Sequence, residues 1–280
     1  MSDAETIAAL TQEVEKCRRL LKEQEHGAQM LIRRDLELSK ANERLRALDQ
    51  MKTDFVSVAT HQLRTPLSAI KWLLSMLLKG DMGSLNDQQR TFIMKAYESN
   101  NRMITLLGDM LLSDQIDSGK LKSVPIPTAL PDLIDNLLLE MRPIATRRDI
   151  TIDFSPPAEA VVPPVNIDPQ HMRAILQNLI ENAIKYSKVG GMVRVSVEKA
   201  GEGMVGITVA DQGIGIPADQ QQQVFTRFFR APNAIKMETD GSGLGLFIVK
   251  NITEHNGGTI SFTSAEDQGT TFRIEFPHTA

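Results

Sequence analysis

The stretch "QNLIENAIKYS", residues 177–187, decides how the second half of this chain is read. At about 100° per residue, with Asn178 as origin, Asn182 lies near about +40° and Lys185 near about −20°. Met172, Leu176, Leu179, Ile180 and Ala183 occupy the other side of the same helix. Two carboxamides and an ammonium are thus presented together from an apolar-backed helix. An asparagine oxygen is a hard ligand suited to Mg²⁺ already held by phosphates, and a lysine neutralises phosphate charge. By itself the pattern is equally that of a solvated face, so the decision rests on the flanking segments.

Two of them are glycine-rich: "DQGIGIP", residues 211–217, and "GSGLGL", residues 241–246. Each puts glycine where a backbone must approach a ligand closely or take φ > 0. The second opens directly into a helix, where free N–H groups and the helix dipole receive phosphate. Asp211 ends the strand "MVGITVAD", and an ionised carboxylate there only accepts hydrogen bonds, as a reader of an exocyclic adenine amine must. A third segment, "GEGMVG" (201–206), satisfies G-x-G-x-x-G but precedes a strand, so it reads as a hairpin turn and not a dinucleotide fingerprint. The chain contains no G-x-x-x-x-G-K-[ST] and no protein-kinase catalytic-loop or D-F-G signature, which excludes those ATP sites.

Around these motifs the spacing predicts a strand near 122–126, a helix over 131–147, strands at 150–155 and 165–167, and a helix over 169–186. Strands 192–199 and 204–210 follow, then an irregular stretch to about 242, a helix over 243–256, and strands 258–263 and 270–276. That is an α/β domain with helices on a mixed sheet.

The first 120 residues are of another kind. From about Asp3 to Leu48 there is no proline and one glycine, and Ile7, Leu10, Val14, Cys17, Leu21, Ala28, Leu31, Leu38 and Leu45 form a heptad seam. A shifted frame fits from Leu38 onward (Leu38, Ala41, Leu45, Leu48, Phe55), which implies a stutter or stammer. Plain dimerisation is the preferred reading over a coiled coil strained to transmit rotation. A second helix, roughly Lys52 to Lys79, carries Val56, Leu63, Ile70 and Leu77 every seven residues. "GDMGSLN" (80–86) breaks it, and a third helix runs from about Asp87 to Asp117 with Ile93, Ala96, Met103, Leu107 and Met110 on one face and Asn100 as its polar member. Two such helices cannot hide both stripes, but doubling the hairpin into a dimeric four-helix bundle does. His61 falls roughly 140–200° from the apolar stripe of its helix, facing solvent, five residues before Pro66. That proline is expected to kink the helix.

Composition narrows the setting. Of 280 residues 41% are hydrophobic and 24% charged, ordinary for a globular protein, and a net charge of −4 gives no reason to expect nucleic acid or anionic lipid as a partner. One cysteine excludes an internal disulfide framework. No apolar run approaches the ~20 residues of a membrane span, and the N-terminus is not a signal peptide. The chain reads as soluble and cytoplasmic.

From about Met51 to Pro277 the sequence resembles the catalytic core of bacterial two-component sensor histidine kinases. "FVSVATHQLRTPLSAIKW" resembles the family's H box, "QNLIENAIKYS" the N box, "DQGIGIP" the G1 box, "VFTRFFR" the F box and "GSGLGLFIVK" the G2 box, all in the family's order. The resemblance implies three parts: a coiled-coil signalling helix (1–50), a dimerisation and histidine-phosphotransfer domain (51–120), and a Bergerat-fold α/β sandwich that binds ATP (121–280). It implies that His61 is the phosphoacceptor and Asn182 the Mg²⁺ ligand, that Asn178, Lys185 and Tyr186 line the nucleotide site, and that Asp211 contacts adenine. Gly213, Gly215, Gly241, Gly243, Leu244 and Gly245 would shape the pocket and lid, with Arg227 and Phe228 in the F box. The implied partners are a second copy of the chain and, since no receiver-like segment follows Pro277, the receiver domain of a separate response regulator.

One position departs from the family. Its usual acidic residue after the histidine is here Gln62, which can fix the imidazole tautomer through Nδ1–H but cannot take a proton. Thr65 matches the position that places water for phosphatase activity. Two other readings are weighed: a movement-coupled Bergerat ATPase, which places a glutamate where this chain has Asn178, and a binding-only scaffold, for which Gln62 is the only support.

Overall fold

The computed structural model describes residues 3–155, 162–201 and 203–278, with the side chains of residues 3–12, 17, 23, 25, 28 and 32 outside the description. The seam positions Ile7, Leu10, Cys17 and Ala28 therefore lie outside the described side chains. By internal contacts the chain divides into two compact units, Met1–Phe55 and Val56–Ala280. The first unit is helix throughout its described length, as part of α1 (Asp3–Lys79). No break separates the two helices expected on either side of Leu48. Over that segment an Asp49–Lys52 ion pair at 4.0 Å and a Gln50–Asp54 hydrogen bond at 2.7 Å support successive turns.

In the second unit α1 continues through Pro66 to Lys79 and turns over Gly80–Asn86 into α2 (Asp87–Asp117). The turn ends in a capping box: the Asn86 side chain accepts from the Gln89 N–H at 2.8 Å, and the Gln89 side chain accepts from the Asn86 N–H at 3.0 Å. Buried Asn100 of α2 donates to the Leu67 carbonyl of α1 at 2.9 Å, one residue beyond the proline.

The remainder is a two-layer α/β structure. Its strands are β1 (Ile126–Thr128), β2 (Thr151–Asp153), β3 (Val165–Ile167), β4 (Met192–Ala200), β5 (Met204–Asp211), β6 (Thr259–Ala265) and β7 (Gly269–Pro277). Its helices are α3 (Leu130–Arg147), α4 (Pro169–Tyr186), α5 (Pro232–Met237) and α6 (Gly245–His255). The main sheet has the order β2-β4-β5-β7-β6, with β2 parallel to β4 and the other neighbours antiparallel; β1 and β3 form a separate antiparallel pair. Alternation along β4 buries Val193, Val195 and Val197, and β7 buries Phe272, Ile274 and Phe276. These residues meet Ile134, Leu137 and Leu138 of α3, Ile175, Leu176 and Leu179 of α4, and Ile248 and Ile252 of α6. The opposite sheet face carries the Arg273–Glu198 and Arg194–Asp153 ion pairs. Ala200 of β4 pairs with Met204 of β5, and Gly206 already lies within β5, so that G-x-G-x-x-G joins two antiparallel strands and has no helix after it.

Among the described residues no helix is long and apolar enough to cross a membrane.

Candidate nucleotide site

Helix α4 begins at Pro169, where Asp168 caps the Gln170 N–H at 2.8 Å and the proline needs no donor. Its buried side holds Met172, Ile175, Leu176, Leu179, Ile180 and Ala183. The other side supplies Asn178, Asn182, Lys185 and Tyr186 to a cavity of about 890 Å³. Asp211, Gly215, Gly241, Gly243 and Gly245 line the same cavity, so residues from three distant segments converge there.

Asp211 ends β5. Its Oδ1 accepts from the Gly213 N–H at 2.9 Å and the Thr270 N–H at 3.1 Å, which fixes the carboxyl plane, and no described residue donates to Oδ2. Burial nevertheless raises its pKa to about 6, against the lowering by those two N–H groups. Gly215, at φ +60°, lies so close to β6 that a Cβ would overlap the Ala265 carbonyl oxygen. Gly243, at φ +69°, faces the backbone of Phe228, with a Cβ there 2.6 Å from the Phe228 carbonyl carbon. The first turn of α6 follows at once with no side-chain cap, leaving its N–H groups at the cavity wall.

Asn178 Nδ2 donates to the Ala174 carbonyl at 2.9 Å, while its Oδ1 faces the Cα of Gly245 closely enough that a Cβ would come within 2.5 Å. The Asn182 side chain makes no hydrogen bond with any described residue. Lys185 Nζ donates to the Asp240 carbonyl, and burial lowers its pKa, with Glu238 opposing that shift. The Tyr186 hydroxyl is raised by burial and takes a hydrogen bond from Arg230.

Several expected residues stand elsewhere. Gly213 bears on the Tyr186 carbonyl and Leu244 is buried in the core. Arg227 points away from the cavity: it pairs with Asp117 of α2, donates to the Ser113 carbonyl at 3.2 Å and lies 4.4 Å over the Phe247 ring. Phe228 is exposed in the left-handed region at φ 59°. His61, Gln62 and Thr65 are exposed on α1, outside the cavity lining, and the Thr65 hydroxyl donates to the His61 carbonyl at 3.4 Å.

The sequence reading missed Arg148, Arg230, Asn233, Ser242, Thr270 and, from α2, Arg102 and Asp109, all of which line the cavity. Asn233 Nδ2 holds the Gly215 carbonyl at 2.9 Å, and burial raises Asp109 to about 6 beside Ser242. Arg230, the last residue of "VFTRFFR", and Ser242, inside "GSGLGL", were the two that carried a signal.

A nucleoside triphosphate with Mg²⁺ fits these donors. The buried Nε of Arg230 has no partner among the described residues, and uncapped N–H groups and two partly desolvated cations surround the glycine turns. No group of three His, Cys, Asp or Glu side chains able to hold a metal occurs among the described residues. A lone asparagine oxygen matches a magnesium ion that brings phosphate and water as its other ligands.

Comparison with known proteins agrees with this geometry. The family described as "His Kinase A (phospho-acceptor) domain" matches residues 51–119, and "Histidine kinase-, DNA gyrase B-, and HSP90-like ATPase" matches residues 167–280. The chain belongs to the two-component sensor histidine kinases. Among sensor histidine kinases it is 32% identical over 247 residues to the circadian input-output histidine kinase CikA of Synechococcus elongatus, covering 88% of this chain and 33% of that protein. To the sensor histidine kinase WalK of Bacillus subtilis it is 32% identical over 232 residues, covering 82% of this chain and 37% of WalK. This histidine kinase chain thus spans about a third of the length of these two relatives. Full-length ShkA, crystallised with AMPPNP, superposes with a TM-score of 0.62 at 27% identity, covering 81% of this chain and 46% of ShkA. The Acinetobacter baumannii histidine kinase AdeS shares the fold, with a TM-score of 0.53 at 20% identity, covering 79% of this chain and 98% of AdeS.

Proposed function

We propose that the protein is an ATP:protein-histidine phosphotransferase that phosphorylates its own His61 and passes the phosphoryl group to an aspartate of a response-regulator receiver domain. The observation that carries this is the convergence of Asn178, Asn182, Lys185, Asp211 and the two glycine turns on one cavity, in a chain whose exposed histidine lies in the phosphoacceptor match. In this reading segments 1–50, 51–120 and 121–280 serve signalling, phosphotransfer and nucleotide binding. The protein works as a cytoplasmic homodimer.

Within the site, Asp211 Oδ2 accepts from the adenine amine while Gly213 and Thr270 hold its partner oxygen in place. Asn182 is the magnesium ligand, and Lys185 with the first turn of α6 faces the phosphates. Bound Mg·ATP supplies the phosphoryl group and screens its charge. His61 Nε2 is the acceptor; Gln62 accepts from Nδ1–H and sets the tautomer that leaves the Nε2 lone pair free. Gly213, Leu244 and the Phe228 backbone support the wall of the site from behind, and Arg227 anchors the same segment on α2. Because His61 is exposed and outside the cavity lining, transfer requires the nucleotide domain to meet α1 in a second arrangement.

Labelling with γ-radioactive ATP tests the reading. The expected product is acid-labile, base-stable label on the protein, absent from His61→Gln although that variant binds ATP as the native chain does. Stable label on His61→Gln, or release of free phosphate with none on protein, would overturn it.

A further inference from the structure

Arg148 lies outside every motif, at the C-cap of α3, yet it lines the nucleotide cavity. Its Nη2 is 2.7 Å from Glu238 Oε2 and its Nη1 donates to the Lys185 carbonyl at 3.3 Å. Glu238 ends α5 and opens the segment that leads to the second glycine turn. Two more cations hold that segment. Lys185 Nζ donates to the Asp240 carbonyl, and Arg230 donates to the carbonyls of Glu238, Thr239 and Gly241. Three cations therefore converge on residues 238–241, and the Nε of Arg230 is still buried without a partner among the described residues.

Such a cluster carries more positive charge than its surroundings balance. Besides Glu238, only Asp240 is an acidic member of this segment, and its carboxylate is engaged by Arg102 of α2 at 3.3 Å. Burial opposes ionisation of Glu238, but Arg148 and Lys185 outweigh it and hold the carboxyl below the usual range. One carboxylate is thus the anion of a site whose other paired cation donors meet only neutral oxygens, backbone carbonyls and the Tyr186 hydroxyl, which are weaker acceptors than charged oxygens.

We propose that Arg148 is a phosphate-binding residue of the nucleotide site and that Glu238 is its resident counter-anion, displaced by the nucleotide's phosphates. The inference rests on the ATP-binding reading above and adds to it a residue pair that sets affinity. Glu238 competes with nucleotide for one cation, so closing the 238–241 segment onto the cluster and binding phosphate oppose each other.

Calorimetric titration of the native chain, Glu238→Gln, Arg148→Gln and the double variant with Mg·ATP, and with adenosine alone, tests this. Glu238→Gln is expected to tighten Mg·ATP about two- to fivefold, the equilibrium factor of a partly exposed ion pair. Arg148→Gln is expected to weaken it by a similar factor. The double variant should bind as Arg148→Gln does, because the competing anion matters only while its cation is present. Adenosine, which brings no phosphate, should bind all four proteins equally. Equal or weaker Mg·ATP binding by Glu238→Gln overturns the inference while leaving the ATP-binding reading intact, and so does a parallel change in adenosine affinity, which marks the pair as a structural clasp. Tightening that persists in the double variant overturns the part given to Arg148. A native chain that binds neither ligand overturns the reading and the inference together.

Discussion

The Asp211 carboxylate accepts two backbone hydrogen bonds, yet burial still lifts its pKa from 3.8 to about 6. The folded protein then holds this proton more tightly than the unfolded chain. The group's contribution to stability is present below pH 3.8 and lost as pH rises through about 6. In the proposed adenine contact nucleotide binding runs the other way, because only the ionised Oδ2 is a pure acceptor for an amine. Affinity for Mg·ATP is expected to fall as pH drops through about 6, by at most about tenfold per unit. Asp109 titrates in the same range at the same cavity, so the measurement is the difference in pH profile between the native chain and Asp211→Asn. The variant should bind weakly at all pH values and lack the Asp211 part of the slope; superimposable profiles would remove Asp211 from adenine recognition. At Gln62 the same logic concerns a base and not a ligand. A carboxylate in its place would accept the Nδ1 proton more strongly and stabilise the cationic imidazole that forms on attack. Gln62→Glu should therefore raise the single-turnover labelling rate at saturating Mg·ATP with affinity unchanged. General-base assistance is worth ~10²–10⁴-fold, and a gain at or below the lower bound is expected since glutamine already orients the ring. An equal or slower rate would show that docking of the nucleotide domain limits the reaction instead.

Among the elements, α2 shows how a local signal fixes an end. The break at 80–86 and the helix from Asp87 were both legible from glycine content and apolar period, and the Asn86–Gln89 box makes the boundary sharp. Asn86→Ala should cost about 0.5–2 kcal/mol, read as a lowered urea midpoint at unchanged slope; an unmoved midpoint would mean that packing alone sets the start of α2. The strongly periodic α4 came through with its bounds at 169–186, and the short strand β3 also stands at 165–167 as expected. The weaker ones moved for physical reasons. The strand expected at 122–126 is β1 at 126–128, because its pairing with β3, some forty residues on, and not its own alternation, defines it. Helix α6 starts at Gly245 instead of residue 243 because Gly243 is left-handed. The short helix α5 and the 3₁₀ turn over 218–223 lie inside the stretch read as irregular, being too brief to show a period. The candidate site divides the same way. Helical spacing put Asn178, Asn182 and Lys185 on one face, and the glycine turns announced themselves. Arg148, Thr270 and Asn233 reach the cavity only through chain folding that no local pattern encodes.

At the scale of the whole molecule, the apolar surface left open by a single copy is the feature that calls for a partner. In the second unit Leu63 and Ile70, two of the four heptad positions read from α1, are 50% and 44% exposed, and Met103 of α2 is 46% exposed. Val56, Leu77 and Leu107 are half-buried. An α1–α2 hairpin can cover only one flank of each stripe, and Leu63, Ile70 and Met103 stay open to water on the other. In the proposed homodimer a second copy related by two-fold symmetry would present the same stripe and close it. Net charge cannot supply the attraction, since two copies at −4 each repel weakly, so association must come from this apolar burial. Leu63→Glu with Ile70→Glu places two carboxylates where the stripes would meet. The dimer's dissociation constant, read by sedimentation over a concentration series, should rise at least about tenfold, the equivalent of ~1.4 kcal/mol, which is below the ~1.5–3 kcal/mol gained by burying even one such side chain. The N-terminal seam can hold some dimer together, so the expected result is a weakened constant and not complete dissociation. Mg·ATP affinity should stay native, because neither residue lines the nucleotide cavity. A dissociation constant equal to that of the native chain would show that this stripe meets something other than a second copy.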